Sequence, residues 1–341
     1  MQHSRIDNID LHIIRLLARD SRTPHKNIAS TVGITPSAAK ARINKMVSNG
    51  VIHKFVAIVN PAIFGYEKLC FLIVRHIDKT IKEQDLIKRI SLLGDIFTSV
   101  KPLEGAGLLF LLFVRSGAED KLVTLADLLK PAEVESFFAR YEPGRYNPAN
   151  AKIHSSDLDI MKCLLLDPQM PVGDVVKETS LSRKTVARRL EKMKENHILQ
   201  FTIFTDSSST QLTGFIVFVV LIEVDASYHQ NIVQRIYNEM QEYILHPLDD
   251  LIQYPINSSI SYQNAFVFAS FCCANISTVN LILRRLESYE GVKKVEPMTL
   301  TSETRLYQDW LKNEIDKRIT TSQKYSSSTA ATAAATTTIK D

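Results

Sequence analysis

One stretch of this chain occurs twice. Residues Asp10 through Ile52 return without a gap as Asp157 through Leu199, at a constant offset of 157 − 10 = 147. Asp20 meets Asp167, Pro24 meets Pro171, Arg42 meets Arg189, Lys45-Met46 meet Lys192-Met193 and Asn49 meets Asn196. A repeat held at one spacing marks a duplicated structural unit, so whatever the first copy folds into, the second must fold into as well.

The unit reads as three helices. Leu11, Ile14, Leu17 and Ala18 give Asp10 to Arg19 an apolar face. A second helix, Lys26 to Val32, ends at Gly33, the residue type that permits a tight turn between helices. Thr35 then caps a third helix, with Pro36 where a missing N–H costs nothing. Ala39, Ile43 and Met46 form its narrow apolar stripe. This is the plan of a helix-turn-helix. The outward face of the third helix carries Ser37, Ala41, Asn44 and Lys45, flanked by Lys40 and Arg42. In the second copy Ser182 caps, and Val186, Leu190 and Met193 form the stripe. Lys184, Arg188 and Lys192 point outward there, with Arg183, Thr185 and Arg189 beside them. Small residues mixed with long cations suit a helix that lies in a groove and reaches base edges and phosphates. Duplex DNA carries one negative charge per ~1.7 Å of axis, which such a face matches. The candidate DNA-binding residues are therefore Thr35, Ser37, Lys40, Ala41, Arg42, Asn44 and Lys45, with Ser182, Arg183, Lys184, Thr185, Arg188, Arg189 and Lys192. Against this stands the plain alternative of a three-helix bundle whose charges are merely solvated.

The stretch Arg42 to His53, followed by Asn60-Pro61 and Gly65-Tyr66, resembles the Lrp/AsnC group of prokaryotic regulators. The resemblance is specific over residues 6 to 66 and weaker over 153 to 205, where His197 replaces Gly50 and the Asn-Pro and Gly-Tyr pairs are missing. It implies a helix-turn-helix leading through a strand into a small effector-binding domain.

The rest of the chain fits that plan. After the first copy, Leu69 to Val74 is a continuous apolar run and reads as a buried strand. Thr80-Ile81-Lys82-Glu83 is a capping-box pattern opening a helix through Leu86, Ile90 and Leu93 to Gly94. Strands at Ile96 to Val100 and Leu108 to Val114, a helix at Ala118 to Leu129 and a strand at Val134 to Arg140 complete a βαββαβ, ferredoxin-like order. After the second copy the order returns. Strands are expected at Phe215 to Val224, Leu251 to Tyr254, Ala265 to Cys272 and Val292 to Met298, with helices from Ser227 and over Ser277 to Glu287. Glu142 to Pro148 is a turn-rich linker.

The expected fold class is α+β, two winged helix-turn-helix domains alternating with two ferredoxin-like domains. The boundaries are 1–60, 61–148, 149–206 and 207–300, then a C-terminal helix over 301–319 that is expected to dock Leu306, Trp310 and Leu311 on the body. The Ser/Thr/Ala tail over 320–341 is expected to be disordered. Two heads and two bodies in one chain are expected to build an intramolecular pseudo-dimer.

Composition narrows the function classes. A chain of 341 residues suits several small domains, and 45% hydrophobic residues can fill their cores. The net charge of +4 is mild, so the basic character is local to the third helices. Cys70, Cys163, Cys272 and Cys273 lie in apolar segments without metal-ligand spacing, which points to buried thiols in a cytoplasmic protein. No signal peptide follows Met1, and the longest apolar stretches fall short of the ~20 residues of a spanning helix, so no membrane partner is expected. No phosphate loop, zinc-protease motif or nucleophile elbow is present, the nine histidines are scattered, and Asp249-Asp250 reads as a solvated pair. No catalytic residue, metal or cofactor is expected.

Two other functions are compatible with such a plan. Haem-biosynthesis decarboxylases resemble the same tandem plan, with a His-Asn-Tyr-x-Arg run on the second strand of the body. Ile96 to Lys101 and Leu251 to Tyr254 have neither that His nor that Arg. A protein–protein adaptor using the heads as contact surfaces is the other. The partners expected are double-stranded DNA and further copies of the chain, through the ferredoxin-like bodies. In the Lrp/AsnC group the loop between the second and third body strands carries Gly followed three residues on by Asp. Gly105 is followed by Leu108 here, and Ser258 to Ser261 lacks the Gly, so the resemblance does not bring an amino-acid effector with it.

Overall fold

The computed structural model describes residues 5–77, 80–102, 107–130, 132–140, 153–205, 207, 213–245, 264–299, 305–306 and 310–320. The linker at 142–148, the loops at 104–106 and 258–261, the Leu251 to Tyr254 strand and the tail from 321 lie outside them. The chain divides into two compact units. One comprises Met1–Val56, Gly65–Tyr146 and Phe201–Tyr307; the other comprises Ala57–Phe64, Asn147–Gln200 and Gln308–Asp341.

The first unit begins with a helical head: α1 (Asn8–Arg19), α2 (His25–Val32) and α3 (Pro36–Ser48). Asp7 starts α1 by accepting the Asp10 N–H at 2.8 Å, and the Asp10 carboxylate accepts the Asp7 N–H at 3.2 Å. This reciprocal cap satisfies two donors that a helix start leaves orphaned. Gly33 ends α2 at φ 74°, and Thr35 accepts the Ala38 N–H to start α3. Ile13, Ile14, Leu17, Ile28, Ala39, Ile43 and Met46 are buried, so the periodic stripes do form the core.

Strand β1 (Ile52–Val59) follows, and it pairs with β6 (Leu199–Thr205) in a two-stranded sheet. The first head thereby receives a strand that follows the second repeat in sequence. The Ser21 N–H donates to the Phe201 carbonyl at 3.1 Å, the Thr202 hydroxyl donates to the Ala18 carbonyl at 2.7 Å, and the Arg22 guanidinium lies 5.1 Å from the Phe201 ring centre.

The two ferredoxin-like bodies occupy the rest of this unit. The first runs β2 (Lys68–Arg75), α4 (Glu83–Ile90), β3 (Asp95–Pro102), β4 (Gly107–Val114), α5 (Ala118–Leu129) and β5 (Glu133–Arg140). The second runs β7 (Ile216–Asp225), α9 (His229–Met240), β8 (Asn264–Cys273), α10 (Ile276–Glu287) and β9 (Val292–Thr299). Their strands make one sheet, in the order β5-β2-β4-β3-β9-β7-β8, joined where Lys101 pairs with Thr299 and Pro102 with Met298.

Antiparallel sheets usually leave one face wet and alternate apolar with polar. Here β2 and β4 are apolar at nearly every position because both faces are covered. Cys70, Leu72 and Val74 pack under α4 and α5, while Phe71 and Ile73 on the other face are also buried, with Phe71 5.3 Å from Phe268 of β8. Gly94 is required for closeness, since a Cβ there would meet the Phe113 carbonyl oxygen at 2.5 Å.

Two expectations about elements are corrected. Helix α4 runs only from Glu83 to Ile90, short of Leu93 and Gly94, with Lys82 at its N-cap making no side-chain cap bond, and Ile81 packs against the body core from the preceding turn. Residues 305–306 are not helical but form β10, pairing Arg305 with Ser99 and Leu306 with Thr98. Beyond its short pairing with β9, β3 offers backbone groups that this strand satisfies. Among the described residues the C-terminal helix, α11, covers 310–320.

The second unit holds the second head: α6 (Ser155–Leu166), α7 (Val172–Thr179) and α8 (Arg183–Glu195). It receives the end of β1 and the short helix Pro61–Phe64, as the first head receives β6. Buried Asn60 donates its N–H to the Ile198 carbonyl at 2.8 Å and its Nδ2 to the His197 carbonyl at 3.2 Å. Helix α11 belongs to this unit and packs on the second head, not on the body as expected: Leu311 and Ile315 are buried, Asp316 pairs with Lys162 of α6 at 2.7 Å, and Arg318 lies 5.0 Å from the Phe64 ring centre.

Candidate nucleic-acid interface

Each third helix presents the face its sequence implied. In α3, Ala39, Ile43 and Met46 are buried, and Ser37, Lys40, Ala41, Asn44 and Lys45 on the far side are exposed, with exposed Thr35 as the cap. In α8, Val186 and Met193 are buried, while Arg183, Lys184, Arg188 and Lys192 are exposed. Ser182 accepts the Thr185 N–H at 3.1 Å, and its hydroxyl also meets the Thr185 hydroxyl at 2.9 Å, which draws half-buried Thr185 into the cap. Positions 37, 41 and 44 of α3, and 184, 188 and 191 of α8, are spaced by four and three, so each set shares one face.

Two candidate arginines are placed differently. Arg42 is half-buried and donates to Asp10 and Asp7, both at 2.8 Å. Arg189 is half-buried and donates to the Asp157 carboxylate at 2.9 and 3.0 Å. The two pairs are one pair, since 10 + 147 = 157 and 42 + 147 = 189. Each clamps the third helix of a head to the start of its first. The Asp10 and then the Asp7 carboxylate hold the Arg42 guanidinium more firmly protonated than a free arginine. Partial burial pushes the Asp7 carboxyl up, but bonds from the Asp10 amide and Arg42 outweigh it and leave Asp7 below its ordinary value. His154 stands where Asp7 stands in the first copy, so the second clamp has one carboxylate instead of two. The Arg189 Nε is buried without an acceptor among the described residues. The signal for this role was present in the repeat itself: Asp10/Asp157 and Arg42/Arg189 are kept in both copies, whereas most outward positions change.

The strand after the first head adds two exposed side chains that the helix-centred reading missed. His53 and Lys54 sit on β1, the His53 ring 6.0 Å and the Lys54 ammonium 5.7 Å from the Phe204 ring centre. Among the described residues no group of three or more His, Cys, Asp and Glu side chains could hold a metal ion, and no helix is long and apolar enough to cross a membrane.

Comparison with known proteins meets this geometry. Residues 6–47 match the AsnC-type helix-turn-helix domain, and residues 153–200 match a winged helix-turn-helix DNA-binding domain. Over 111 residues, 29% of this chain and 70% of the relative, the sequence is 34% identical to an HTH-type transcriptional regulator of Pyrococcus horikoshii. The chain belongs to the Lrp/AsnC family. It is a tandem member, with two helix-turn-helix heads where each matched domain is one. A shorter match, 40% identical over 70 residues, covers 20% of this Lrp/AsnC chain and 46% of the HTH-type transcriptional regulator FL11 of Pyrococcus abyssi. Among solved structures, the siroheme decarboxylase NirDL shares the fold over 91% of this chain and 99% of its own, with a TM-score of 0.50 and 14% identity.

Proposed function

We propose that this Lrp/AsnC protein regulates transcription by reading duplex DNA selectively with the two recognition helices, residues 35–47 and 182–194. The observation that carries the reading is the exposed cationic face of α8, Lys184, Arg188 and Lys192 with Arg183, answered in α3 by Lys40 and Lys45. On this reading Thr35, Ser182 and Thr185 set the start of each helix. Ser37, Ala41, Asn44, Lys184 and Arg188 face bases, and Lys40, Lys45, Arg183 and Lys192 face phosphates. Arg42 and Arg189 are positioning residues that act through Asp10 and Asp157. Self-association through the ferredoxin-like bodies belongs to the same proposal, because β5 ends the strand order among the described residues and an end strand offers a row of backbone groups.

Phosphate contacts release counterions, so the logarithm of affinity should fall linearly with the logarithm of salt, by about 0.9 per contact. Genomic fragments should also separate by affinity at fixed salt. Binding that is independent of salt, or equal for all fragments, overturns the proposal and favours a protein–protein adaptor.

The likeness to a siroheme decarboxylase favours a second reading, decarboxylation of a tetrapyrrole. Strand β3 carries Ile96-Phe97-Thr98-Ser99-Val100-Lys101, with no His or Arg to grip a propionate or move a proton. Adding sirohaem to the full chain should leave the pigment's absorption spectrum unchanged; a saturable shift with loss of carbon dioxide establishes the enzyme instead.

A further inference from the structure

We propose that the DNA site of this chain is built of two chemically unlike half-sites, one read at A·T pairs by α3 and one at G·C pairs by α8. The inference rests on the DNA-reading proposal above and goes beyond it by naming what each head recognises.

The comparison is fair because the frame is the same in both heads. Both third helices are 13 residues long, both start on a hydroxyl cap, Thr35 or Ser182, and both are clamped by the same Asp–Arg pair. Position by position, then, equivalent side chains leave equivalent points of a helix. At the outward positions, Ser37 corresponds to Lys184, Ala41 to Arg188 and Asn44 to Glu191, all exposed. Lys45 and Lys192, on the edge of that face, are identical.

The chemistry of each set is different. Asn can accept and donate in parallel to the N6 and N7 edge of adenine, and a small apolar side chain such as Ala leaves room for a thymine methyl. Arg and Lys supply donors only, matched to the two acceptors O6 and N7 of guanine, and Glu accepts from cytosine N4. So α3, with Ala41 and Asn44, carries the complement of an A·T edge. Helix α8, with Lys184, Arg188 and Glu191, carries the complement of a G·C edge. Phosphates are the same whatever the sequence, so the one outward cation both copies keep, Lys45/Lys192, is assigned to the backbone. A homodimer of identical heads selects a palindrome, and a chain with unlike heads has no such constraint.

The test is repeated selection from random duplexes by the full chain, run in parallel with Asn44→Ala and Arg188→Ala. Both side chains are exposed, so the folded state should survive; matching melting curves check it. The expected result is a non-palindromic consensus with an A·T-containing and a G·C-containing half. Asn44→Ala should lose preference in the first only, and Arg188→Ala in the second only, each by about tenfold or more, as for a lost bidentate contact. A palindromic consensus, or the same half-site weakened by both variants, overturns this inference and leaves DNA reading intact. Enrichment of no sequence at all overturns DNA reading, and the inference falls with it.

Discussion

The second head holds two residues in a backbone conformation that the first head gives to glycine, and exchanging them should strengthen it. Gly33 and Gly50 have φ 74° each, and their counterparts Ser180 and His197 have φ 55° and 52°. A Cβ in the left-handed region crowds the following carbonyl, at a cost of roughly 1–2 kcal/mol per residue. Gly33 and Gly50 have open space where a Cβ would stand, so in that frame the cost is local and not a clash with neighbours. Glycine gives part of the gain back through the unfolded chain, where it loses more freedom, about 0.4–1 kcal/mol. The net expectation is about 0.5–1 kcal/mol for each of Ser180→Gly and His197→Gly. The bond from Asn60 to position 197 goes to the backbone carbonyl and is kept. Trp310, the single tryptophan, lies in α11 of the same compact unit, so its fluorescence follows this unit during urea unfolding. With a slope of about 1–3 kcal/mol/M, the double variant, worth about 1–2 kcal/mol, should raise the midpoint by about 0.3–2 M. An unchanged or lowered midpoint at constant slope refutes the reasoning, because it means these residues are held at positive φ by interactions worth more than the strain.

Three further outcomes can be checked with similar means. Asp7 has a folded-state pKa below its ordinary value of 3.8, so its carboxylate contributes stability that is fully present above that value and is lost as pH falls through the lower folded one. The gap in urea midpoint between the wild type and Asp7→Asn should therefore be constant from pH 7 to about pH 5 and close in more acid solution; a gap that opens instead contradicts the clamp. Asn60→Ala deletes the bond to the His197 carbonyl and the one its Oδ1 accepts from the Ala62 N–H at 2.9 Å, and should destabilise the Trp310-containing unit by about 2 kcal/mol. Ile315 is fully buried, so Ile315→Ala should cost that unit about 2–5 kcal/mol and Ile315→Val about 0.5–1.5 kcal/mol, whereas equal, small effects would mean that α11 is not packed.

The sequence disclosed what is local and hid what is not. Thr35-Pro36 placed the start of α3, and α5 spans Ala118–Leu129 as its periodicity implies, because caps and stripes act within one helix. The doubly apolar β2 and β4 announced burial on both faces, but not that the second body's sheet supplies the other cover through Phe268. Nor does any residue of β6 say that it will dock on Ala18 and Ser21, some 180 positions earlier. The two-residue shift in the start of α4 has the same origin. The capping pattern at Thr80 is local, whereas the packing of Ile81 on the core beside the actual start at Glu83 is defined only by the folded body. At the candidate interface, exposure of the outward face was legible, but the commitment of Arg42 and Arg189 was not, because an arginine on a basic helix looks the same whether it meets a phosphate or an aspartate.

The repeat separates those two fates better than either copy does alone. Some positions with a job inside the head are the same in both, Leu11/Leu158 and Met46/Met193 in the core and Asp10/Asp157 and Arg42/Arg189 in the clamp, and where core positions differ, as at Ala39/Val186 and Ile43/Leu190, they stay apolar. Positions that face outward have moved apart, from Ser37, Ala41 and Asn44 to Lys184, Arg188 and Glu191. Two separate chains forming a homodimer must carry one recognition helix twice, so any change at a base-reading position alters both half-sites together. Joining the copies in one polypeptide removes that coupling. Each head can then change what it reads while the Asp–Arg pair that ties the reading helix to the first helix, Asp10–Arg42 or Asp157–Arg189, is kept in both. The first clamp has two carboxylates and the second has one, with His154 in place of Asp7 and the Arg189 Nε left without an acceptor. The head with the stronger outward cationic face is thus braced by one carboxylate in place of two, and it is the one that receives an additional helix, α11, through Lys162 and Asp316.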